Sequence, residues 1–396
     1  MKGHVVVAGA GIGGMAAAIL LARTGADVTL LERAAEIGAV GAGILLQPNG
    51  LAVLTGLGLD APLREAGRPI GSVVVHGPAG ERISELRVPD FGAGLNHHLA
   101  LRRSALHAVL LDAVRAEPRI TLRLGARVVA ADRHGTVGLD GGETLRPDLV
   151  VGADGVHSAV RGEIAFGARV RAGRELYVRA MVPMPDPGGA SETWTPLGIF
   201  GGAPVDAGTR YVYASAATPA LRAAVAARDL AALRRTWSAQ LPSAGAELAA
   251  VGSFDDLIVT DVVRVRCVRF HDGRRALLGD AAHAMAPTAG QGANSALVDA
   301  AVLAAVLTAG PTVENALARY TERRRRPVQA VATRADRLTR VAHLRSRAAR
   351  ALRDAALGAL DRRPGAAEQA VRDLQQENPA TLRSLVAGLT DTRRTS

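Results

Sequence analysis

Residues 4–32 read HVVVAGAGIGGMAAAILLARTGADVTLLE, and the order of residue types in this stretch decides how the chain begins to fold. Val5 to Ala8 reads as a buried strand, Gly13 to Thr24 as a helix closed by Gly25, and Asp27 to Leu31 as a second strand. Gly9, Gly11 and Gly14 form the pattern G-x-G-x-x-G between that first strand and the helix. Bare glycine is needed where the turn is tight, where backbone approaches a pyrophosphate, and where helix sits close on strand. The helix start at Ile12 and Gly13 then offers its amides and positive dipole end to phosphates. Glu32 follows Gly14 by eighteen residues, at the end of the second strand, where a carboxylate can accept from an adenosine ribose. A turn that only packs leaves Glu32 unexplained, so the stretch predicts a dinucleotide site. The carboxylate disfavours a ribose 2′-phosphate, which suits FAD or NAD better than NADP. Lys2 and the apolar run 5–22 superficially resemble a secretory signal, but the glycine spacing assigns them to this unit.

Working outward, two further stretches share the logic of a buried strand that ends in glycine and acid. Leu149 to Gly152 is followed by Ala153, Asp154 and Gly155, then Ser158 and Arg161. Ala276 to Leu278 leads into Gly279, Asp280, Ala281, Ala282 and His283, then Pro287 and the run Gly290, Gln291, Gly292, Ala293, Asn294 that opens an apolar helix. Between these stretches lie a helix at Ser104 to Arg115, strands at Ile120 to Leu124 and Arg127 to Ala131, and a glycine turn at Gly141 and Gly142. From Phe166 to Phe270 the texture alternates, as in Tyr177 to Val182 and Arg210 to Ala216, which predicts an antiparallel sheet joined by a hairpin over Ser72 to Ile83. After Leu278 the chain reads as almost all helix.

At 396 residues, with 48% hydrophobic and 21% charged, the chain can bury two cores and has no long disordered segment. Its net charge of +11 invites a nucleic-acid reading. Against it, the arginines are scattered and aromatics for base stacking make up only 3%, so no nucleic-acid partner is expected. An anionic substrate or cofactor is the better use of the charge. Cys267 is the only cysteine, which excludes an internal disulfide and a cysteine-based metal site. No metal is expected, no integral membrane association, and a cytoplasmic location.

The three stretches, in this order and separation, resemble the signatures of the class A FAD-dependent aromatic-ring monooxygenases, the family of 4-hydroxybenzoate and salicylate hydroxylases. The resemblance covers roughly residues 4 to 345. It implies that Gly9, Gly11, Ile12, Gly13 and Gly14 cradle the FAD pyrophosphate, that Glu32 binds the adenosine ribose with Arg33 near the adenine, and that Asp280 binds the ribityl chain. Arg103 matches a family arginine that meets the cofactor from the side, and Val128 a backbone contact to adenine. Asp154 matches a motif tied to both FAD and nicotinamide. Pro287, Gly290, Gly292, Ala293 and Asn294 would border the flavin, and His283 would hold its loop in place.

The fold expected is α/β: a Rossmann-like FAD-binding domain from residues 1–70, 98–165 and 271–310, an inserted, mostly antiparallel β-sheet substrate domain from 71–97 and 166–270, and a C-terminal helical region, 311–396. The activity implied is hydroxylation of a small aromatic substrate, with NADPH or NADH as transient co-substrate and dioxygen captured as a flavin hydroperoxide. An epoxidase, a Baeyer-Villiger oxygenase, a reductase and a regulator without turnover remain open. No catalytic side chain is assigned; His76, His97, His98, Arg179, Trp194, Arg210, Tyr211 and Tyr213 are candidates for the pocket lining, and a monomer or homodimer is expected.

Overall fold

A computed structural model of the chain describes residues 3–38, 41–162 and 164–391. Its first lobe is built on a six-stranded sheet in the order His271–Asp272, Arg275–Leu277, Leu149–Gly152, His4–Ala8, Asp27–Leu31, Ile120–Arg123. All neighbours pair parallel except the first two. His4–Ala8 lies mid-sheet, with Val6 level with Val150 on one side and Thr29 on the other, so its valines are wholly buried. Such a strand reads as a continuous apolar run because helices cover the sheet.

Helix Ile12–Arg23 is apolar on every side and buried from Ile12 to Ala22. It packs on helices Gly292–Ala309 and Arg103–Arg115. Gly25, with φ +103°, supplies the left-handed residue that ends it. Among the described residues Gly292–Ala309 alone is long and apolar enough to cross a membrane, at mean hydropathy 1.5; 67% of it is buried inside the fold.

The second lobe is a seven-stranded sheet in the order Ile258–Arg266, Arg169–Pro183, Thr209–Ser215, Gly198–Pro204, Ser191–Thr195, Ser72–His76, Arg82–Arg87. Pairing is antiparallel except between Ser191–Thr195 and Ser72–His76. The expectation of sheet throughout Phe166 to Phe270 is corrected by helices Pro219–Ala226, Leu230–Gln240 and Gly245–Ala250, which cover one face. Leu221, Leu233 and Trp237 pack there against Val178, Phe200 and Ala214, and the Phe200 and Trp237 rings stand 5.4 Å apart. The opposite face, carrying Tyr177, Arg179, Tyr211 and Tyr213, turns toward the first lobe and the C-terminal helices.

Those helices begin with Val313–Ala342, followed by Arg347–Asp361, Ala366–Arg372 and Pro379–Asp391. The last packs on helix Pro48–Gly56 of the first lobe so closely that a Cβ at Gly56 would stand 2.7 Å from Val386 Cβ.

Candidate active site

The three glycines of the first turn do three different jobs. A Cβ on Gly14 would lie 1.9 Å from the Gly9 carbonyl oxygen, so this glycine lets helix press on strand. Gly9, at φ +99°, adopts a left-handed conformation against the backbone of Ala153 and Asp154. Gly11 has nothing within 4 Å of where its Cβ would be and faces open space. It is also the N-cap of helix Ile12–Arg23 and offers no side-chain cap, which leaves the first-turn amides turned to that space.

A second uncapped helix N-terminus stands beside the first. A turn of 3-10 helix at Pro287–Ala289 ends at Gly290, whose φ of +62° is left-handed, and helix Gly292–Ala309 starts from Gln291 without a side-chain cap. A side chain at Gly292 would also meet nothing within 4 Å. The opening turns of the two helices touch, since a Cβ on Gly13 would stand 2.9 Å from Ala296 Cβ. Both dipole ends therefore serve one region, where they favour negative charge.

Acidic groups frame this region. Glu32 accepts from Ala10 N–H at 2.9 Å and Ala34 N–H at 3.0 Å, pinning the glycine turn to the end of the second strand. Its own N–H donates to Arg123 O and its carbonyl accepts from Ala126, which brings the chain leading to Val128 alongside, while Arg33 is exposed. Asp280 is exposed on the short helix Asp280–His283, behind Gly279 at φ +58°. Asp154 turns inward. One oxygen accepts from Ala159 and Val160 N–H, the other has no partner, and burial raises its carboxyl above the usual range against these hydrogen bonds. Arg161 links the second and third stretches through Ala281 O at 2.9 Å.

Beneath the Asp280 loop lies a fully buried ionic cluster. Asp299 receives His283 Nε2 at 2.5 Å, Arg324 Nε at 2.7 Å and Gly279 N–H at 2.9 Å. Burial opposes ionisation of Asp299, yet His283 and Arg324 hold its carboxyl below the ordinary value. His283 thus props the loop from beneath through Asp299.

Two features escaped the sequence reading. His107 bonds the Ala10 carbonyl at 3.0 Å, bracing the glycine turn. Behind the Gly290–Asn294 run, Gln47, Asn49, Gln291, Asn294, Gln375 and Gln376 form a buried amide network. The C-terminal segment, which carries no signature, supplies two of its members.

Opposite the two helix ends stands the sheet face of the second lobe. Tyr177 packs with Ala286 and Ala289 on either side of Pro287, and its buried hydroxyl has no partner. The Tyr211 ring lies against Gly43, where a Cβ would be 2.3 Å from its Cγ, and Arg103 sits over Gly41 in the same way at 2.5 Å from its Cδ. Of the other pocket candidates, Arg210 points away and bonds Pro187 O and Gly189 O, and Trp194 is buried under Arg353. His98 is buried, which lowers its pKa to about 4. His76 is level with Thr193 on the opposite face of the sheet, and His97 bonds Asn96 at 3.1 Å.

Residues 2–335 match the family model described as an FAD binding domain. The chain belongs to this family. It is 34% identical over 328 residues to the aurachin C monooxygenase/isomerase of Stigmatella aurantiaca, covering 80% of this chain and 83% of that one. It is 33% identical to the 3-amino-4-hydroxybenzoate 2-monooxygenase of Streptomyces cremeus, over 86% and 88% of the two chains. Among solved structures, the tetrameric form of 2-methyl-3-hydroxypyridine-5-carboxylic acid oxygenase superposes with TM-score 0.77 at 27% identity, covering 96% and 97%. The chain is therefore an FAD-dependent aromatic monooxygenase, with NAD(P)H as co-substrate. Open space at Gly11 and Gly292, two uncapped helix ends and the exposed Asp280 fit that cofactor.

Proposed function

We propose that this protein hydroxylates a small aromatic compound in the space between the helix ends and the Tyr177–Tyr213 sheet face. The reading is carried by one juxtaposition: two uncapped helix N-termini, each beside a glycine with open space where a side chain would stand, facing an aromatic sheet surface. Gly9, Gly11, Ile12, Gly13 and Gly14 would bind the pyrophosphate of FAD, Glu32 its adenosine ribose, with Arg33 and Val128 by the adenine. Asp280 would bind the ribityl chain, Arg103 the cofactor's flank, and Pro287, Gly290, Gly292, Ala293 and Asn294 the ring. When bound, FAD supplies electron transfer from NAD(P)H and the activation of dioxygen.

The chain's own contribution is to bind, orient and exclude water. The helix end at Gly292 stabilises negative charge on the ring it borders. Asp154 caps its own loop, so its part in cofactor binding is to hold backbone in place. The cluster of Asp299, His283 and Arg324 fixes the position of Asp280. Two of the relatives carry a hydroxylated aromatic acid in their names, 3-amino-4-hydroxybenzoate and 2-methyl-3-hydroxypyridine-5-carboxylic acid, which supports a substrate of that general kind here. The deciding experiment follows NAD(P)H consumption and product mass together under labelled dioxygen. Product carrying one labelled oxygen supports hydroxylation, and unlabelled product with continued NAD(P)H oxidation overturns it in favour of a reductase.

A further inference from the structure

The C-terminal region carries no signature of the sequence, yet one line of hydrogen bonds runs from it to the turn beside Pro287 and Gly290. Arg324 Nη2 donates to Gln376 Oε1 at 2.7 Å, and Gln376 Nε2 donates to Gln291 Oε1 at 3.2 Å. Gln291 Nε2 then donates to Gln47 Oε1 at 2.7 Å, and Gln47 Nε2 to the Ala289 carbonyl at 2.8 Å. Arg324 has only donors and the carbonyl only accepts, so every amide between them is forced into one orientation. Bonds aligned in this way polarise one another. The line starts at the ion cluster, since Arg324 Nε donates to Asp299, which also receives His283 from the Asp280 loop. Gln47, Gln291, Asp299 and Arg324 are all buried.

The far end of the line orients the turn. With the Ala289 carbonyl drawn to Gln47 and the Gly290 carbonyl drawn to Asn294 Nδ2 at 2.8 Å, successive carbonyls turn into the protein. A trans peptide points its N–H opposite its C=O, so the Gln291 amide is turned away from the network. Gln376 holds the near end in a costly conformation. Its φ of +67° is left-handed, which among the described non-glycine residues only Ala93 and Arg228 share. Such a backbone persists where its surroundings over-determine it. Here they do: Gln376 Nε2 also donates to Ser295 Oγ at 2.7 Å, Glu377 accepts from Arg323 through both oxygens at 2.8 and 2.9 Å, and Asp373 accepts from Arg334 at 2.8 Å. Arginines of helix Val313–Ala342 thus clamp segment 373–377 so that one glutamine reaches the start of helix Gly292–Ala309.

Resting on the function proposed above, we propose that Gln376 is a positioning residue for the flavin. Acting through Gln291, it fixes the first turn of helix Gly292–Ala309 beside the ring, and so sets how much more tightly the protein holds the reduced ring than the oxidised one. The helix end favours negative charge only over about its first turn, so a small displacement of Gln291 weakens the effect. Reduction adds electron density to the ring, and the reduced form therefore loses more of this stabilisation than the oxidised form. A merely structural latch predicts a different result, because loosening the C-terminal segment would lower stability and weaken the hold on both forms of the ring alike.

The test measures the reduction potential of the FAD-loaded protein by anaerobic spectroelectrochemistry, beside the dissociation constant for oxidised FAD and the thermal midpoint. Gln376→Asn keeps a neutral amide and suits the left-handed backbone, but its side chain is one methylene too short to span Arg324 and Gln291. It is expected to lower the ratio of affinities for reduced and oxidised FAD about tenfold, which makes the potential more negative by about 30 mV for a two-electron couple. Gln376→Gly relieves the backbone while removing the side chain and should give the same shift, so that a failure of one variant to fold leaves the other to decide. Gln47→Met breaks the line at its far end; it should move the potential in the same direction, and combined with Gln376→Asn should add little to the larger single change. Glu377→Gln loosens the same segment outside the line and should lower the thermal midpoint with the potential unmoved. A folded Gln376 variant whose affinity ratio stays within about twofold of the parent's overturns the proposal, as does an equal shift in Glu377→Gln or full additivity with Gln47→Met. Failure of the parent to bind FAD is read separately, from the flavin absorption, and would instead refute the function on which the proposal rests.

Discussion

Replacing Gly11 and Gly14 by valine, one at a time, separates the cofactor cradle from the fold that builds it. Gly11 has φ −74° and ψ 179°, an extended conformation any residue adopts, and a side chain there meets nothing within 4 Å. The loss to the fold is that of a poor N-cap, about 1 kcal/mol, and a thermal midpoint lowered by about 2 °C. The valine instead fills the space into which backbone must admit a pyrophosphate, so the dissociation constant for FAD should rise at least about a hundredfold, or about 2.7 kcal/mol. Gly14→Val has the opposite profile. Its Cβ would fall 1.9 Å from the Gly9 backbone carbonyl, just past the end of the middle strand, a clash no rotamer relieves, and the cost should exceed the roughly 1–3 kcal/mol of ordinary overpacking. Fluorescence titration with FAD and thermal melts of the FAD-free proteins read the two effects apart. A Gly11→Val protein that bound FAD within about threefold of the parent, where tenfold is about 1.4 kcal/mol, would refute the assignment of this space to the pyrophosphate.

Two further perturbations follow from the acidic frame. Asp280→Ala removes a side chain that has no protein partner among the described residues, so FAD affinity should fall about ten- to a hundredfold with the melting curve unmoved. Glu32→Ala should lose both, since it also frees the amides of Ala10 and Ala34; equal retention of FAD by the two variants would count against the site. Asp299→Asn leaves Arg324 buried without its counter-charge and should destabilise by about 3–5 kcal/mol in urea unfolding. Because the folded carboxyl lies below its ordinary value of about 4, its stabilisation is present above that pH and is lost as pH falls through the folded value. Parent and variant stabilities should therefore converge on acidification, and a constant gap down to the lowest pH would contradict the ion cluster.

How much of this was legible in the sequence depended on the range of the interaction. The glycine turn and its flanking strands are encoded within thirty residues, and the pattern there is local enough to read directly. The helices in 219–250 also carried local signals, Thr218 before Pro219 and Asp229 before Leu230, whose side chains cap them. Alternation in the flanking strands masked those signals. Gln375 was unreadable for a different reason: it meets Asn49 across 326 residues, and an isolated glutamine has no pattern to betray it.

The second-lobe sheet face is the most instructive case, because Arg179 and Tyr213 were visible as candidates while their relation was not. Arg179 and Tyr213 come together only through the pairing of two strands, and Glu192 joins them only because Gly201 lies between. Moving strand Thr209–Ser215 by one position would put Val212 in the place of Tyr213 and send the tyrosine toward Leu221 and Trp237. The same amino acids would then make a core with a buried phenol parted from Glu192, its present hydrogen-bond partner. Composition along each strand is identical in the two registers, so the chemistry of this face belongs to the register, which the apolar packing of Val178, Phe200 and Ala214 under the helices fixes from the opposite side of the sheet.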